Sequence, residues 1–483
     1  VFRRSLSATL FLALIPVLAL AQTPYLVRDI NPNGDSYASS FTVYNGALYF
    51  NASDDVHGFE LWRSDGTFAG TQMVSDLRPG FDGSFPTGMT QYNGRLYYAA
   101  NDGVNGNELW STDGTAAGTA FVADCNPGPD SGNPEVFVPV GGTMFFRAFN
   151  AYGIELWKSN GTGPETNMVK DIHLNDWSLP SGITELNGQV YFGADDSYDE
   201  AYGYDRELWT SDGTEAGTVR VLDINPGPAG SIPTSFTRLG NELIFQARES
   251  THGIELWRTD GTETGTTLLK DINPTGSGAP TMLTQIDNYV YFNASNGVDG
   301  AEVWRTDGTA AGTLQIADIN PTGASDPLYF TALNDGVVFT ADDGVHGIEL
   351  WWTDGSEAGT HMIKDINPGD ALSSPLFLTV VGDEVYFATV EQGSEEWTVL
   401  TSLWKSDGTE EGTVRVWDAP GEWFGYSITD LNLVGDTLFF MAPTGFDSSG
   451  YSENFELHAL TVPEPATGLL LLGGLILSLR RRG

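Results

Sequence analysis

The chain has 483 residues, 40% hydrophobic and 12% aromatic, enough for a packed interior and too rich in apolar side chains for a disordered chain. Its 64 acidic side chains against 22 basic ones give a formal charge of −42, which repels nucleic acid phosphates and anionic lipid headgroups. A single cysteine excludes an internal disulfide, so packing must supply the stability.

Residues 1–21 carry the features of a secretory signal. Arg3 and Arg4 precede an apolar run from Leu10 to Leu20, and Ala19-Leu20-Ala21 offers a small-x-small site for cleavage between Ala21 and Gln22. The expected product is exported.

Residues 22–461 repeat one motif nine times. Glu60-Leu61-Trp62 returns at Glu108, Glu155, Glu207, Glu255, Glu302, Glu349 and Ser402, with a worn copy at Glu456-Leu457-His458, at intervals of 47 to 54 residues. Such a period suits propeller blades. The first unit predicts four strands. Phe41 to Tyr44 leads into an Asn45-Gly46 turn, Leu48-Tyr49-Phe50 follows, and the polar loop Asp54 to Gly58 enters Glu60-Leu61-Trp62. Asp65-Gly66-Thr67 then turns the chain into Gln72 to Leu77. The fourth-strand pattern appears once before any complete unit, at Leu26 to Ile30, whereas the last unit stops near Leu460 without one. A ring uses this offset, because first and last segments then share a blade and no edge stays free. The expected fold is therefore all-β, a single closed β-propeller of about nine four-stranded units with an N-terminal strand completing the last blade. Eight blades plus an irregular unit is the alternative.

Residues 462–483 form a second address. Pro463-Glu464-Pro465 precedes the apolar segment Ala466 to Leu479 and then Arg480-Arg481-Arg482. The segment reads as a short transmembrane helix, below the 17–25 residues of a comfortable span, with its basic end held in the cytoplasm. These three ordered parts resemble the PEP-CTERM sorting signal. The resemblance implies an exosortase-type processing enzyme acting near Pro463, Glu464 and Pro465, an inner-membrane-anchored intermediate, and delivery to the periplasm, outer surface or extracellular matrix. A plain membrane anchor is the alternative.

The repeat itself resembles the ELWxxDGT (hyalin-like) family. The octet is intact in units one, two, four and five, and departs once each at Asn160, Val303, Ser356 and Ser402. The family implies surface display and leaves biochemical activity open.

A residue repeated in every unit does the same job in every unit. The recurring Asp (Asp29, Asp76, Asp124, Asp171, Asp223, Asp271, Asp318, Asp365 and Asp418) is expected to accept turn amides. The Trp is expected to wedge between blades, the Glu to satisfy loop amides or a neighbouring blade, and Cys125 to be buried. Strand order places the inter-blade connections and the loops between second and third strands on one acidic face. His57, His252 and His346 fall there, as solvent-facing turn residues.

Individuality lies in enlarged second-to-third loops. Unit four holds Asp195, Asp196, Asp199 and Glu200, the candidate metal ligands, interleaved with Tyr198, Tyr202 and Tyr204. Unit eight holds Glu395, Glu396 and Trp397. Acids among aromatics suit a cation or a sugar ring, so these aromatic and unit-eight residues are the candidate ligand-binding set. No nucleophile elbow, His-Glu-x-x-His motif or phosphate-cradling glycine loop occurs. The leading expectation is an exported, noncatalytic binding or display scaffold contacting exopolysaccharide or surface proteins, without nucleic acid and with no cofactor beyond calcium. The alternatives are a propeller glycosidase or polysaccharide lyase and a calcium-stabilised adhesive scaffold.

Overall fold

Asn-Gly and Asp-Gly turns between aromatic runs dictate the architecture. Asn45 and Gly46 both hold positive φ, 49° and 74°, the pair a tight hairpin requires. They join the innermost strand of blade one, Ser39–Tyr44, to Ala47–Ser53, which is followed by Phe59–Ser64 and Gln72–Ser75. Pairing is antiparallel throughout, with Tyr44 opposite Ala47, Phe50 opposite Trp62 and Trp62 opposite Met73. The computed structural model describes residues 23–174, 176–368, 373–392, 398–422, 427–446 and 452–462. Ala21 and Gln22, the tail from Pro463 through Glu464 and Pro465 onward with its apolar segment, and Glu395, Glu396 and Trp397 lie outside the described residues. Among the described residues no helix is long and apolar enough to cross a membrane.

The strands form nine four-stranded sheets. Eight use consecutive strands. The ninth combines Thr429–Val434, Thr437–Phe446 and Ser452–Thr461 with Tyr25–Arg28 from the other end of the chain, Tyr25 facing Ala459 and Leu26 facing His458. Innermost strands of successive blades touch around the whole ring, Thr429–Val434 reaching Ser39–Tyr44 to close it. The count is nine blades, as the nine motif copies imply, and the eight-blade alternative is discarded.

Each second strand lies between two sheets, so it is buried on both faces; all seven residues of Ala47–Ser53 are buried. The core is accordingly nine separate layers, one per blade interface. The motif tryptophan wedges into the layer shared with the preceding blade. Trp62 packs with Phe439, Met441 and Leu457 of blade nine, and Trp209 with Phe145 and Leu156 of blade three. Packing, not hydrogen bonding, holds it: Trp351 donates Nε1–H to the Ala341 carbonyl at 3.1 Å, whereas seven other motif indoles have no acceptor. Blade nine replaces Trp with His458. Burial lowers its pKa, and the neutral ring packs between Phe440 and Trp417 of blade eight. Cys125 is buried as expected, and burial pushes its thiol up, away from the reactive thiolate.

Candidate ligand-binding cleft

The connection face is built by the motif glutamate. Glu207 accepts from Ile224 N at 2.8 Å, Ser231 N at 2.8 Å and Ser231 Oγ at 2.7 Å. Glu60, Glu155 and Glu302 repeat this with Leu77 and Ser84, Ile172 and Ser178, and Ile319 and Ser325. Glu456 does it across the ring closure, accepting from Ile30 N at 3.1 Å and Asn31 N at 3.2 Å. All eight motif glutamates are fully buried, and burial raises their pKa values, to about 7 at Glu108, Glu155, Glu207, Glu349 and Glu456. Each carboxylate thus gathers the amides that start a connection and fixes where the loop runs. In blade eight, Ser402 stands in the position and donates to Asp418 Oδ1 at 2.7 Å.

The recurring aspartate has a different place from the one expected of it. Among the described residues only Asp124 accepts a turn amide, from Gly128 at 3.3 Å, and Asp124, Asp171, Asp223, Asp271 and Asp365 each keep a buried Oδ1 with no hydrogen-bond partner. The glutamate has taken the amides, and the adjacent aspartate charge is one of the forces raising its pKa. On the opposite face, the carboxylates of the Asp-Gly-Thr turns bond within their own turns. Asp65 Oδ1 accepts Thr67 N at 2.9 Å and Thr67 Oγ1 at 2.7 Å, and these bonds lower its pKa.

The second-to-third loops lie over the connections. A Cβ on Gly58 would fall 2.4 Å from the Phe81 carbonyl oxygen, so only glycine permits the two backbones to meet. His57, His252 and His346 sit in these loops, bonded within them to Asp54, Glu249 and Asp343 at 2.8, 2.6 and 2.7 Å. They do not converge.

In blade four the enlarged loop is an extended hairpin, Gln189–Asp199 with Gly203–Ser211. Its acids are occupied separately. Asp195 is buried in a bidentate pair with Arg206, 2.9 and 2.7 Å; Asp196 lies 3.5 Å from Arg220; Asp199 caps the turn by accepting from Ala201 N and Tyr202 N; and Glu200 lies in the turn itself. These four residues are not brought to one point. Asp205, on the returning strand of the same hairpin, is more unusual. It is buried, keeps Oδ1 without a partner, and is pushed up to about 6 by burial and by the charges of Asp196 and Asp223, with Arg220 opposing. Two of the aromatics do meet: Tyr198 and Tyr204 lie tilted at 57° with centroids 5.0 Å apart, both exposed, and Tyr202 is exposed in the turn between them.

Tyr204 connects this hairpin to a cleft. Its hydroxyl donates to Asp176 Oδ2 at 3.0 Å, and its ring lies edge-on to His173 at 6.4 Å. His173 occupies the place of the usual connection Asn and is buried, with neither ring nitrogen partnered. Next to Asp176, the exposed Trp177 indole meets Phe149 edge-on at 5.7 Å. Two adjoining cavities of about 430 Å³ each open here and share Asp130, Phe149 and Trp177 as walls. Tyr152, Leu174, Asp171 and Asp176 line the first. Exposed Tyr152 and Trp177 thus line the cleft among carboxylates, and Asp176 ties it through Tyr204 to the exposed Tyr198.

No family model and no curated protein matches the chain. Solved structures with similarity to it include a puromycin hydrolase, at 13% identity and a TM-score of 0.40 over 89% of this chain and 64% of that one. A puromycin hydrolase mutant complexed with PGG gives 14% identity and 0.38 over 75% and 59%. A Mycobacterium tuberculosis puromycin-hydrolyzing peptidase gives 10% identity and 0.39 over 89% and 62%. The chain spans about three fifths of the length of these structures.

Phe149, Tyr152, Trp177, Asp130 and Asp176 were not singled out from the sequence. The available signal was a departure: His173-Leu174-Asn175-Asp176-Trp177 stands where six other connections begin with Asn-Pro. One glycine sets the cleft's shape. A Cβ on Gly153 would lie 2.2 Å from the Trp177 ring, at a φ of 105°. Gly153→Ala is expected to displace the indole and weaken any ligand stacked on it by about tenfold, with the ring still folded; binding and a melting curve on the same sample check both halves.

Proposed function

We propose that this chain is an exported, noncatalytic propeller that binds glycan at the cell surface or in the matrix, through the aromatic cleft of blades three and four. The observation that carries the reading is the run of solvent-facing rings, Tyr152, Trp177, Tyr204 and Tyr198, on rigid connections. Pyranose rings present flat C–H faces to such side chains, and flanking carboxylates accept their hydroxyls. The repeated Glu, Trp and Asp-Gly-Thr residues are consumed by the fold, which leaves this cleft as the distinctive surface. Export rests on the signal-like residues 1–21, and surface sorting on the Pro463-Glu464-Pro465 tail with an exosortase-type enzyme as partner.

A glycan array probed with the purified chain tests the reading. Binding that disappears in Trp177→Ala supports it; an array without ligands refutes it. Incubation with a bound glycan, read as new reducing ends, tests the glycosidase or lyase alternative, for which Asp205→Asn is the diagnostic variant.

The calcium-stabilised alternative is separated by melting. Asp195, Asp199 and Asp54 already accept protein donors. Added calcium is therefore expected to leave Tm unchanged within about 1–2 °C, and chelator to do the same; a saturable rise would favour the calcium scaffold.

A further inference from the structure

The charge around the cleft specifies the ligand further. Asp130, Asp171 and Asp176 all line it. Asp176 Oδ1 accepts Trp177 N at 2.9 Å and Oδ2 accepts the Tyr204 hydroxyl, bonds that lower its pKa and keep it ionised. Asp171 keeps its buried Oδ1 unpartnered. Among the described residues no lysine or arginine forms an ion pair with any of these three; the nearby cation Arg147 is spent on Glu135, at 2.8 Å. The cleft therefore presents three uncompensated carboxylates beside three exposed aromatic faces, inside a chain whose overall charge is −42.

Carboxylates beside aromatic faces attract an ammonium group twice, by charge and by the ring quadrupole. The same field rejects uronate, sulfate or phosphate groups, so acidic polysaccharides and single-stranded nucleic acids are poor occupants despite the stacking rings. The extended run of rings, from blade three's loop across to blade four's hairpin, fits successive stiff pyranose units better than one isolated cation. We infer that the cleft takes a glycan bearing free amino groups, a polymer or oligomer of de-N-acetylated amino sugar. Its ammonium groups pair with Asp130, Asp171 and Asp176 while its ring faces stack on Tyr152, Trp177 and Tyr204. This inference rests on the glycan-binding reading and adds the charge class of the sugar to it.

The test uses the full chain and three oligosaccharides of equal length: glucosamine oligomers, their fully N-acetylated forms, and uronate oligomers. The glucosamine oligomer is expected to bind at least tenfold more tightly than the N-acetylated one, to weaken steeply with salt, and the uronate not to bind. Asp130→Asn with Asp176→Asn, both outside the conserved hydrogen-bonding of the repeat, should erase about tenfold of that preference and leave the melting curve in place. Equal binding of the free and N-acetylated oligomers, unchanged by these substitutions, overturns the charge inference while glycan binding survives. No binding of any oligosaccharide overturns both. A lysine-rich peptide that binds the cleft when the sugars do not would keep the cation site and reject the glycan.

Discussion

Removing residues 23–36 is expected to leave a chain that cannot close its ring. The segment supplies the outer strand of blade nine and the Ile30 and Asn31 amides that Glu456 accepts. It also buries Val27 and Ile30 in the layer shared by blades nine and one. Burying each such side chain is worth about 1.5–3 kcal/mol, and stranding a buried carboxylate costs about 3–5 kcal/mol more. The sum rivals the whole stability of an ordinary domain, about 5–15 kcal/mol. The truncated chain should lose its cooperative melting transition and become protease-sensitive first near Thr429–Thr461. A synthetic peptide of residues 23–36 should restore the transition in trans. Glu456→Ala isolates the carboxylate's share and is expected to lower stability without abolishing the ring. A truncated chain that melts like the intact one would show that the inner-strand contacts alone hold blades one and nine together.

The closing strand was legible because a fourth-strand pattern stands orphaned at Leu26 to Ile30 while the last unit lacks one; chain order alone exposes that offset. The tryptophan wedge was legible for a similar reason, since one large aromatic per period must fill one layer per blade. The division of labour between Glu and Asp was not. Both are acids next to the same turn, and only the direction of the Ile224 and Ser231 amides shows that Glu207 receives them while Asp223 does not. The blade-four insertion was read correctly as individual and wrongly as a loop. Its residues pair Tyr198 with Tyr204 and continue the strands, so that Asp195 is taken up by Arg206 while Asp199 caps the turn. The cleft was hidden because its walls come from residues near 130, 150 and 175, three segments that meet only when one loop lies over two connections.

The eight buried glutamates should make the protein more stable in mild acid than at neutral pH. Their folded pKa values stand above the ordinary carboxylate value, near 7 for five of them. The folded state therefore holds protons that the unfolded chain releases. That contribution is complete below about pH 4.5 and is lost as pH rises through about 7. The Asp-Gly-Thr aspartates run the other way, with lowered pKa values, but they are exposed and act only in the acid range below their ordinary value. Melting temperature is expected to fall by several degrees between pH 5.5 and pH 8.

The serine hydroxyls explain how a proton is tolerated. Ser231 Oγ, 2.7 Å from Glu207 Oε2, can turn from donor to acceptor and receive the carboxylic proton while Ile224 N–H still points at the same oxygen. Glu207→Gln imitates this protonated form through its amide donor. It should cost about 2 kcal/mol, for the one Ile224 amide that loses its acceptor, and remove one glutamate's share of the pH slope. Glu207→Ala, which strands every donor, should cost about 4 kcal/mol. Glu255 is the contrast. Its partners are the Ile272, Asn273 and Gly278 amides, with glycine where blade four has Ser231, so no hydroxyl waits for a proton. Glu255→Gln should therefore cost more than Glu207→Gln. Equal costs would mean that the serines merely donate, and a melting temperature flat from pH 5.5 to 8 would mean that the glutamates stay ionised in the core.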